Sequence, residues 1–355
     1  MHTLTEYGWT QVNQREWNDL KLAHLQPARV IADFGTSLKL TTPQIISAEL
    51  SGKLAHYTSS EATPKVGDWV AMHVTDNGSA TVESVVLRQN EIARKVAGKQ
   101  VKKQIIAANV DIAFVLLALD NDFSIERLRR FLYQLSISSI EAVIVLNKSD
   151  KTDNVQSYIE QLNLLEQPII VTTATSGTGV AEIAARIAPG HTAILLGSSG
   201  VGKSTLTNRL LGREAQATNN VKVSDGTGKH TTVHRELFIL PGGGILIDTP
   251  GVRELRLWGT EEELDANYDD ITDIIARCKY KTCRHGSEEG CAVREALTAG
   301  TLEKSHYANY LKMKSELSKL NIKNKERIRR ENTRPHQYSK HKSTEKRESL
   351  NEDNQ

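Results

Sequence analysis

The run Gly197-Ser198-Ser199-Gly200-Val201-Gly202-Lys203-Ser204-Thr205 carries the spacing G-x-x-x-x-G-K-[ST]. Glycines at its ends let the backbone turn tightly, so that successive N–H groups point at phosphate oxygens. Lys203 supplies a point charge for β- and γ-phosphates, and the Ser204 hydroxyl is placed to ligate Mg²⁺. Residues 192–196 before the loop form a short apolar run that predicts a buried parallel strand. Residues 204–211 after it carry helical apolar spacing. Strand, loop, helix is the context that phosphate cradling needs.

A second apolar run, 142–146, leads into Asn147-Lys148-Ser149-Asp150. Ligands of open α/β sheets bind outside the carboxyl ends of the strands. A carboxylate at Asp150 can accept from guanine N1–H and its exocyclic amino group. Adenine lacks both donors there, a loss of about 1–3 kcal/mol or more for the unpaired acceptor. Asn147 is expected to tie this loop to the phosphate loop, and the Lys148 stem to lie along the purine ring. Residues 171–179 resemble an S-A-x-x-G-x-G loop supporting guanine O6, with Thr173 in place of Ser and followed by Ala174.

Residues 244–251 read as a strand ending in D-x-x-G, with Asp248 expected to hold Mg²⁺ through water and the Gly251 N–H to meet a γ-phosphate. The polar, Gly-rich stretch 224–232 precedes it as a candidate switch loop, in which Thr231 or Thr232 would complete the Mg²⁺ shell. Many GTPases place a water-orienting Gln after D-x-x-G. Here Val252 stands there and offers no hydrogen bond, which leaves His230 as the candidate to position water and predicts slow unaided hydrolysis.

The guanine motif precedes the phosphate loop by about fifty residues, whereas Ras-like GTPases have the opposite order. The order predicts a circularly permuted GTPase. All three cysteines fall in one window, Cys278-x₄-Cys283-x-His285-x₅-Cys291. Three thiols and an imidazole make the ligand count of a closed structural Zn²⁺ site. Three thiols cannot pair evenly as disulfides, and one His without a fourth Cys argues against an iron–sulfur cluster.

With 355 residues, two or three domains are expected. The net charge of +2 hides an asymmetry, since residues 312–355 hold thirteen Lys/Arg against seven Asp/Glu. The stretch has almost no large apolar residues after Ile328 and predicts a basic, phosphate-seeking arm, disordered beyond the first turns of a helix. No run reaches membrane-spanning length and the first thirty residues are too polar for export, so a cytoplasmic chain without membrane contact is expected.

Trp9 and Trp17 are expected to pack a short helix onto the neighbouring β-rich segment. Runs at 29–34, 38–40, 44–50, 68–74 and 80–87 predict five short strands, most simply an oligonucleotide-binding (OB) barrel. Strands alternating with helices from residue 111 onward predict a parallel sheet. Residues 125–135 predict an amphipathic helix with Arg127, Arg129 and Arg130 exposed. After residue 257 the periodicity turns helical over 261–277 and 294–320. The organisation is therefore an extension at 1–27, an OB barrel at 28–105 and a permuted P-loop α/β GTPase domain at 106–260. A helical zinc-binding domain at 261–320 and a basic tail at 321–355 complete it.

Barrel, permuted GTPase and C-x₄-C-x-H-x₅-C, in that order, resemble the ribosome small-subunit-dependent GTPase A family. The resemblance covers residues 28–315 and rests on 147–150, 197–205, 228–232, 248–251, the Cys278 to Cys291 cluster and the linking run 104–111. It implies a GTP hydrolase (GTP to GDP) that acts in late maturation of the small (30S) ribosomal subunit. Activity stimulated by that subunit and coupled to release, and contacts to 16S ribosomal RNA, are implied as well. The free chain is expected to be a monomer. Gly200 stands where some ribosome-linked GTPases carry an Asn that helps bind K⁺, so no K⁺ site is expected. The residues leave open a constitutive RNA-binding module with GTP as structural ligand, or a GTPase acting on a non-ribosomal RNA.

Overall fold

The computed structural model describes residues 2–20, 22, 24–35, 37–42, 44–57, 61–75, 78–96, 102–120, 122–214, 235–249 and 256–333. His230, Thr231, Thr232, Gly251 and Val252 lie outside the described residues.

A capping box at Thr10 starts helix α1 (Gln11–Asp19), whose Trp17 is buried. Trp9 meets Trp17 edge-on at 6.1 Å and Trp69 at 4.7 Å, so the extension packs onto the next unit as expected. There, β1 (Gln26–Asp33), β2 (Leu38–Thr42), β3 (Gln44–Leu50), α2 (Gly52–Tyr57), β4 (Trp69–Val74) and β5 (Ala80–Val85) succeed one another. β1 pairs with both β2 and β4, and β3 runs parallel to β5, which closes a ring in the order β1-β2-β3-β5-β4. Residues two apart on a strand share a face. Ala28 and Val30, Leu38 and Leu40, Val70 and Met72, and Ala80 and Val82 accordingly fill the barrel, with Leu54 of α2. Each fully buried Leu or Val contributes about 1.5–3 kcal/mol.

A hairpin of β6 (Glu91–Lys95) and β7 (Lys103–Ala108) forms its own two-stranded sheet outside the barrel ladder. Next come β8 (Ile112–Ala118), α3 (Ile125–Ser136), β9 (Glu141–Asn147), α4 (Val155–Leu162), β10 (Ile169–Val171) and α5 (Val180–Ala185). β11 (Thr192–Leu196), α6 (Lys203–Leu211), β12 (Arg235–Ile239) and β13 (Ile245–Asp248) complete the unit. Its sheet runs β10-β9-β8-β11-β13-β12, parallel except at β12. β8 shows why such strands read as unbroken apolar runs: Ile112, Phe114 and Leu116 enter one core, and Ala113, Val115 and Leu117 the opposite one. Antiparallel β12 also pairs with β1, through Ala32↔Glu236 and Asp33↔Arg235, which carries the sheet into the barrel.

The C-terminal part holds α7 (Glu261–Ala266), α8 (Asp269–Ala276), α9 (Ala292–Ala299) and α10 (Lys304–Thr333). Tyr310, Met313, Leu317 and Leu320 recur at helical spacing on α10 and join a core with Leu264, Ile271, Val293 and Tyr133 of α3. Three expectations need correction. The single helix expected over 294–320 breaks at Gly300, whose φ of 76° ends α9 in the left-handed region. α10 then continues to Thr333, past the expected start of the tail. The arginines of α3 are not exposed: Arg129 is buried, Arg127 pairs with Asp122 and Arg130 with Glu316. Their partners lie outside α3, where the periodicity of that one helix cannot place them.

Candidate nucleotide site and metal centre

The C-terminal ends of β9, β10, β11 and β13 lie along one edge of the parallel sheet, because each pairs in register with a parallel neighbour. Loops 147–150, 172–179 and 197–202 and the end of β13 therefore converge there. β11 hands the chain to Gly197 (φ 143°), where a Cβ would stand 2.7 Å from Leu116 O. Gly202 (φ 104°) precedes Lys203, the first residue of α6, and a Cβ there would collide with Asn147 Nδ2 at 2.2 Å. The first N–H groups of α6 have no carbonyl partner within the helix and face the loop side. Ser198 is buried, Ser199 and Gly200 are exposed at the rim, Val201 points into the core, and Ser204 and Thr205 are half-buried.

Asn147 is the bolt of the site. Its Nδ2 donates to Val201 O at 2.7 Å, while its Oδ1 accepts from Thr172 Oγ1 and from Ala174 N, both at 3.0 Å. One buried amide thus joins the phosphate loop, the guanine motif and the 172–174 loop. Thr173 shares a hydrogen bond of 2.7 Å with Ser149. Lys148 sits in the left-handed region (φ 61°) and its Nζ donates to Asp120 Oδ2 at 2.8 Å. Asp150 stays exposed, with Lys151 Nζ 3.7 Å away. Arg209 Nε on α6 donates to Ala174 O at 3.2 Å and clasps the same loop from the helix side.

Lys203 Nζ donates to the carbonyls of Gly197 (2.8 Å) and Ser198 (2.6 Å). Burial pulls its pKa down to about 8, against the pull of Asp248 and Asp122. Burial pushes Asp248 up to about 6, opposed by Lys203, Thr207 and the Thr249 N–H. A buried cation and a buried carboxylate, each strained toward neutrality, suit a polyanion and a divalent cation. Thr249 Oγ1 anchors the chain after Asp248 to Leu195 O at 2.9 Å.

Sequence reasoning overlooked Asp120, Asp122, Thr172 and Arg209. Asp120 and Asp122 lie just past β8 at the carboxyl edge, the position that should have marked them. The other two reach the site only through tertiary contacts.

In the C-terminal unit the donor atoms of Cys278, Cys283, His285 and Cys291 all lie within 4.8 Å of one another. His285 Nδ1 is 3.6 Å from Cys278 Sγ and 3.7 Å from Cys291 Sγ. A tetrahedral ion with bonds of about 2.3 Å to sulfur and 2.0–2.1 Å to nitrogen sets ligand separations of about 3.5–3.8 Å. The set fits a metal ion. Glu288 accepts from the N–H groups of Arg284 (2.9 Å) and Gly286 (2.8 Å), bracketing His285, whose φ is 61°. Cys291 caps α9, its sulfur accepting from Arg294 N at 3.5 Å.

Comparison with known proteins agrees with this construction. A family model described as RsgA GTPase matches residues 85–258. A protein of Opitutus terrae named small ribosomal subunit biogenesis GTPase RsgA is 37% identical over 328 residues, covering 88% of this chain and 89% of the relative. A protein of the same name from Leptospira interrogans is 38% identical over 320 residues, covering 88% of each. The crystal structure of YjeQ from Thermotoga maritima superposes with a TM-score of 0.59 at 26% identity, over 82% of this chain and 98% of that one. The structure of YloQ, a circularly permuted GTPase, matches in fold with a TM-score of 0.57 at 24% identity, over 84% and 96%. This chain is a GTP-hydrolysing enzyme with the circularly permuted GTPase fold, and it belongs to the RsgA GTPase family.

Proposed function

We propose that this GTPase acts on the small (30S) ribosomal subunit late in its biogenesis, with hydrolysis stimulated by that subunit and coupled to release. The relatives' name supports the choice of partner. The single observation that supports the nucleotide site is Asn147, which bonds the phosphate loop, the guanine motif and the 172–174 loop into one unit. In this reading Asp150 accepts from guanine, the Lys148 stem lies along the base, Ser149 and Thr173 brace one another, and the Ala174 loop supports O6. Lys203 and the N–H groups of residues 198–205 hold the phosphates.

Ser204 and Asp248 would hold Mg²⁺, which supplies charge compensation between phosphate oxygens. Thr231 or Thr232 completes that shell, the Gly251 N–H senses the γ-phosphate, and His230 positions water. The Cys278, Cys283, His285 and Cys291 set takes Zn²⁺, whose chemistry is structural: it cross-links the segment between α8 and α9. The five-stranded barrel, of the OB type, supplies an RNA surface together with the metal-bearing unit and basic α10, directed at 16S ribosomal RNA. Among the described residues no helix is long and apolar enough to cross a membrane. A cytoplasmic protein, monomeric when free, is the corresponding expectation of this reading.

GTP turnover by the full chain, measured with and without purified 30S subunits, tests it. A multiple-fold stimulation is expected. An unchanged rate, with the subunits bound, would overturn the coupling, and His230→Ala should remove the stimulation while sparing GTP affinity.

A further inference from the structure

β8 lies between the two strands that carry the halves of the nucleotide site, β9 with the guanine motif and β11 with the phosphate loop. The loop leaving β8 is therefore placed to touch both. Its two carboxylates do so. Asp120 Oδ2 accepts from Lys148 Nζ at 2.8 Å, and Asp120 Oδ1 accepts from the backbone N–H of Asp122 at 2.9 Å. Asp122 Oδ2 accepts from the Ser198 hydroxyl in the phosphate loop and from Arg127 Nη1 at 2.8 Å. The loop is itself anchored, because Ser124 caps α3 through the Arg127 N–H at 3.2 Å and Arg127 Nη1 also donates to Asp122 O at 3.3 Å.

We propose that Asp120 and Asp122 are positioning residues of the GTPase reaction, a brace that fixes the guanine subsite against the phosphate subsite. The inference rests on reading this sheet edge as the GTP site. The two carboxylates divide the task. Asp120 holds the Lys148 ammonium, and so holds the stem where a purine face lies, which matters for any guanine nucleotide whatever its phosphate count. Asp122 holds Ser198, the residue after Gly197, and matters for the phosphates beyond the first. Neither side chain need touch a reacting atom.

The test uses the full chain and displacement of a fluorescent GDP by GTP, GDP or GMP. Asp120→Ala should weaken all three by a common factor, about three- to fivefold for a partly exposed charged contact. Asp122→Ala should weaken GTP and GDP by a similar factor and leave GMP unchanged. Asp122→Asn keeps an acceptor for Ser198 and should restore GTP and GDP binding. Thermal unfolding is monitored in parallel, and if an alanine variant does not fold, Asp120→Ser and Asp122→Ser are read for the same pattern. Equal losses for all three ligands in the Asp122 variants, or unchanged binding in both sets, would overturn the brace. Lys203→Ala serves as the control: if it still binds GTP like the wild type, the nucleotide site itself is wrong and the brace is not what failed.

Discussion

Arg130 Nη2 on α3 forks over the carboxylate of Glu316 on α10, 3.0 Å from Oε1 and 2.8 Å from Oε2. Oε1 also accepts from the backbone N–H of Leu257 at 3.3 Å. One pair therefore joins three segments: the helix rooted at the nucleotide edge, the chain arriving from beyond β13, and the long C-terminal helix. Gln134 extends the seam by donating to Trp258 O at 2.7 Å and accepting from Trp258 N at 3.0 Å. Tyr133 adds a bond to Thr260 O at 3.2 Å. The chain is stitched to α3 before it enters the unit that holds the Cys/His cluster, so α3 touches both the nucleotide edge and the C-terminal helices.

Arg130→Ala should loosen this seam without touching the nucleotide edge. A loss of about 1 kcal/mol in stability is expected for a half-buried ion pair. Hydrogen exchange at the Leu257 and Trp258 amides should quicken. Unchanged protection there would show that Gln134 alone holds the segment.

Asp150→Asn should relax the choice of base. The carboxylate is exposed and, among the described residues, pairs only with exposed Lys151, so the fold has little reason to suffer. An amide cannot accept from both guanine donors, and GTP affinity should fall about tenfold or more relative to ATP. Calorimetry that finds the GTP/ATP ratio unaltered would remove Asp150 from base reading.

Cys283→Ser should lower the metal content of the chain and expose the segment around residues 278–291, since binding and folding are coupled in such sites. Elemental analysis of the wild type is expected to give one zinc per chain, and exhaustive chelation to mimic the variant. A wild-type protein free of stoichiometric metal would leave four converging ligands without a purpose.

Asp248→Asn should stabilise the nucleotide-free chain. Burial raises this carboxyl from 3.8 to about 6, so the folded chain holds its proton longer than the unfolded chain does. The resulting cost of folding is absent below the ordinary value of 3.8, grows with pH and is complete above about 6. The attraction of Lys203 already opposes this rise, and the gain expected in the variant is about 2–3 kcal/mol above pH 6. Unfolding temperatures compared across pH should show the advantage fading toward acid. An advantage that does not vary with pH would place the cost in packing and not in charge.

Much of the architecture was readable along the chain. Short β-rich runs broken by Gly, Pro and Asn marked the five barrel strands, because β-branched and aromatic residues suit a pleated strand and the breakers suit the turns between. Helical spacing marked α3 and the C-terminal helices, although Gly300 was passed over as one more residue of a continuous helix. β12 escaped because Arg235-Glu-Leu-Phe-Ile239 is a short strand whose partners are β13 and the remote β1, neither of which its own residues announce.

The phosphate loop, the guanine tetrapeptide and the Cys/His cluster are legible in the sequence because each needs its residues at fixed short spacing: a tight turn, a strand-end loop, a four-ligand knot. Their order alone determined that the GTPase is permuted. The tertiary structure decided what depends on neighbours distant in sequence. Asn147 meets Val201 across 54 residues, Asp122 meets Ser198 across 76, and Arg130 meets Glu316 across 186. A charged residue's role is set by the partner it finds once the strands are ordered side by side. That is why Arg129 and Arg130, solvated on a helical wheel, become a buried side chain and a clasp between units.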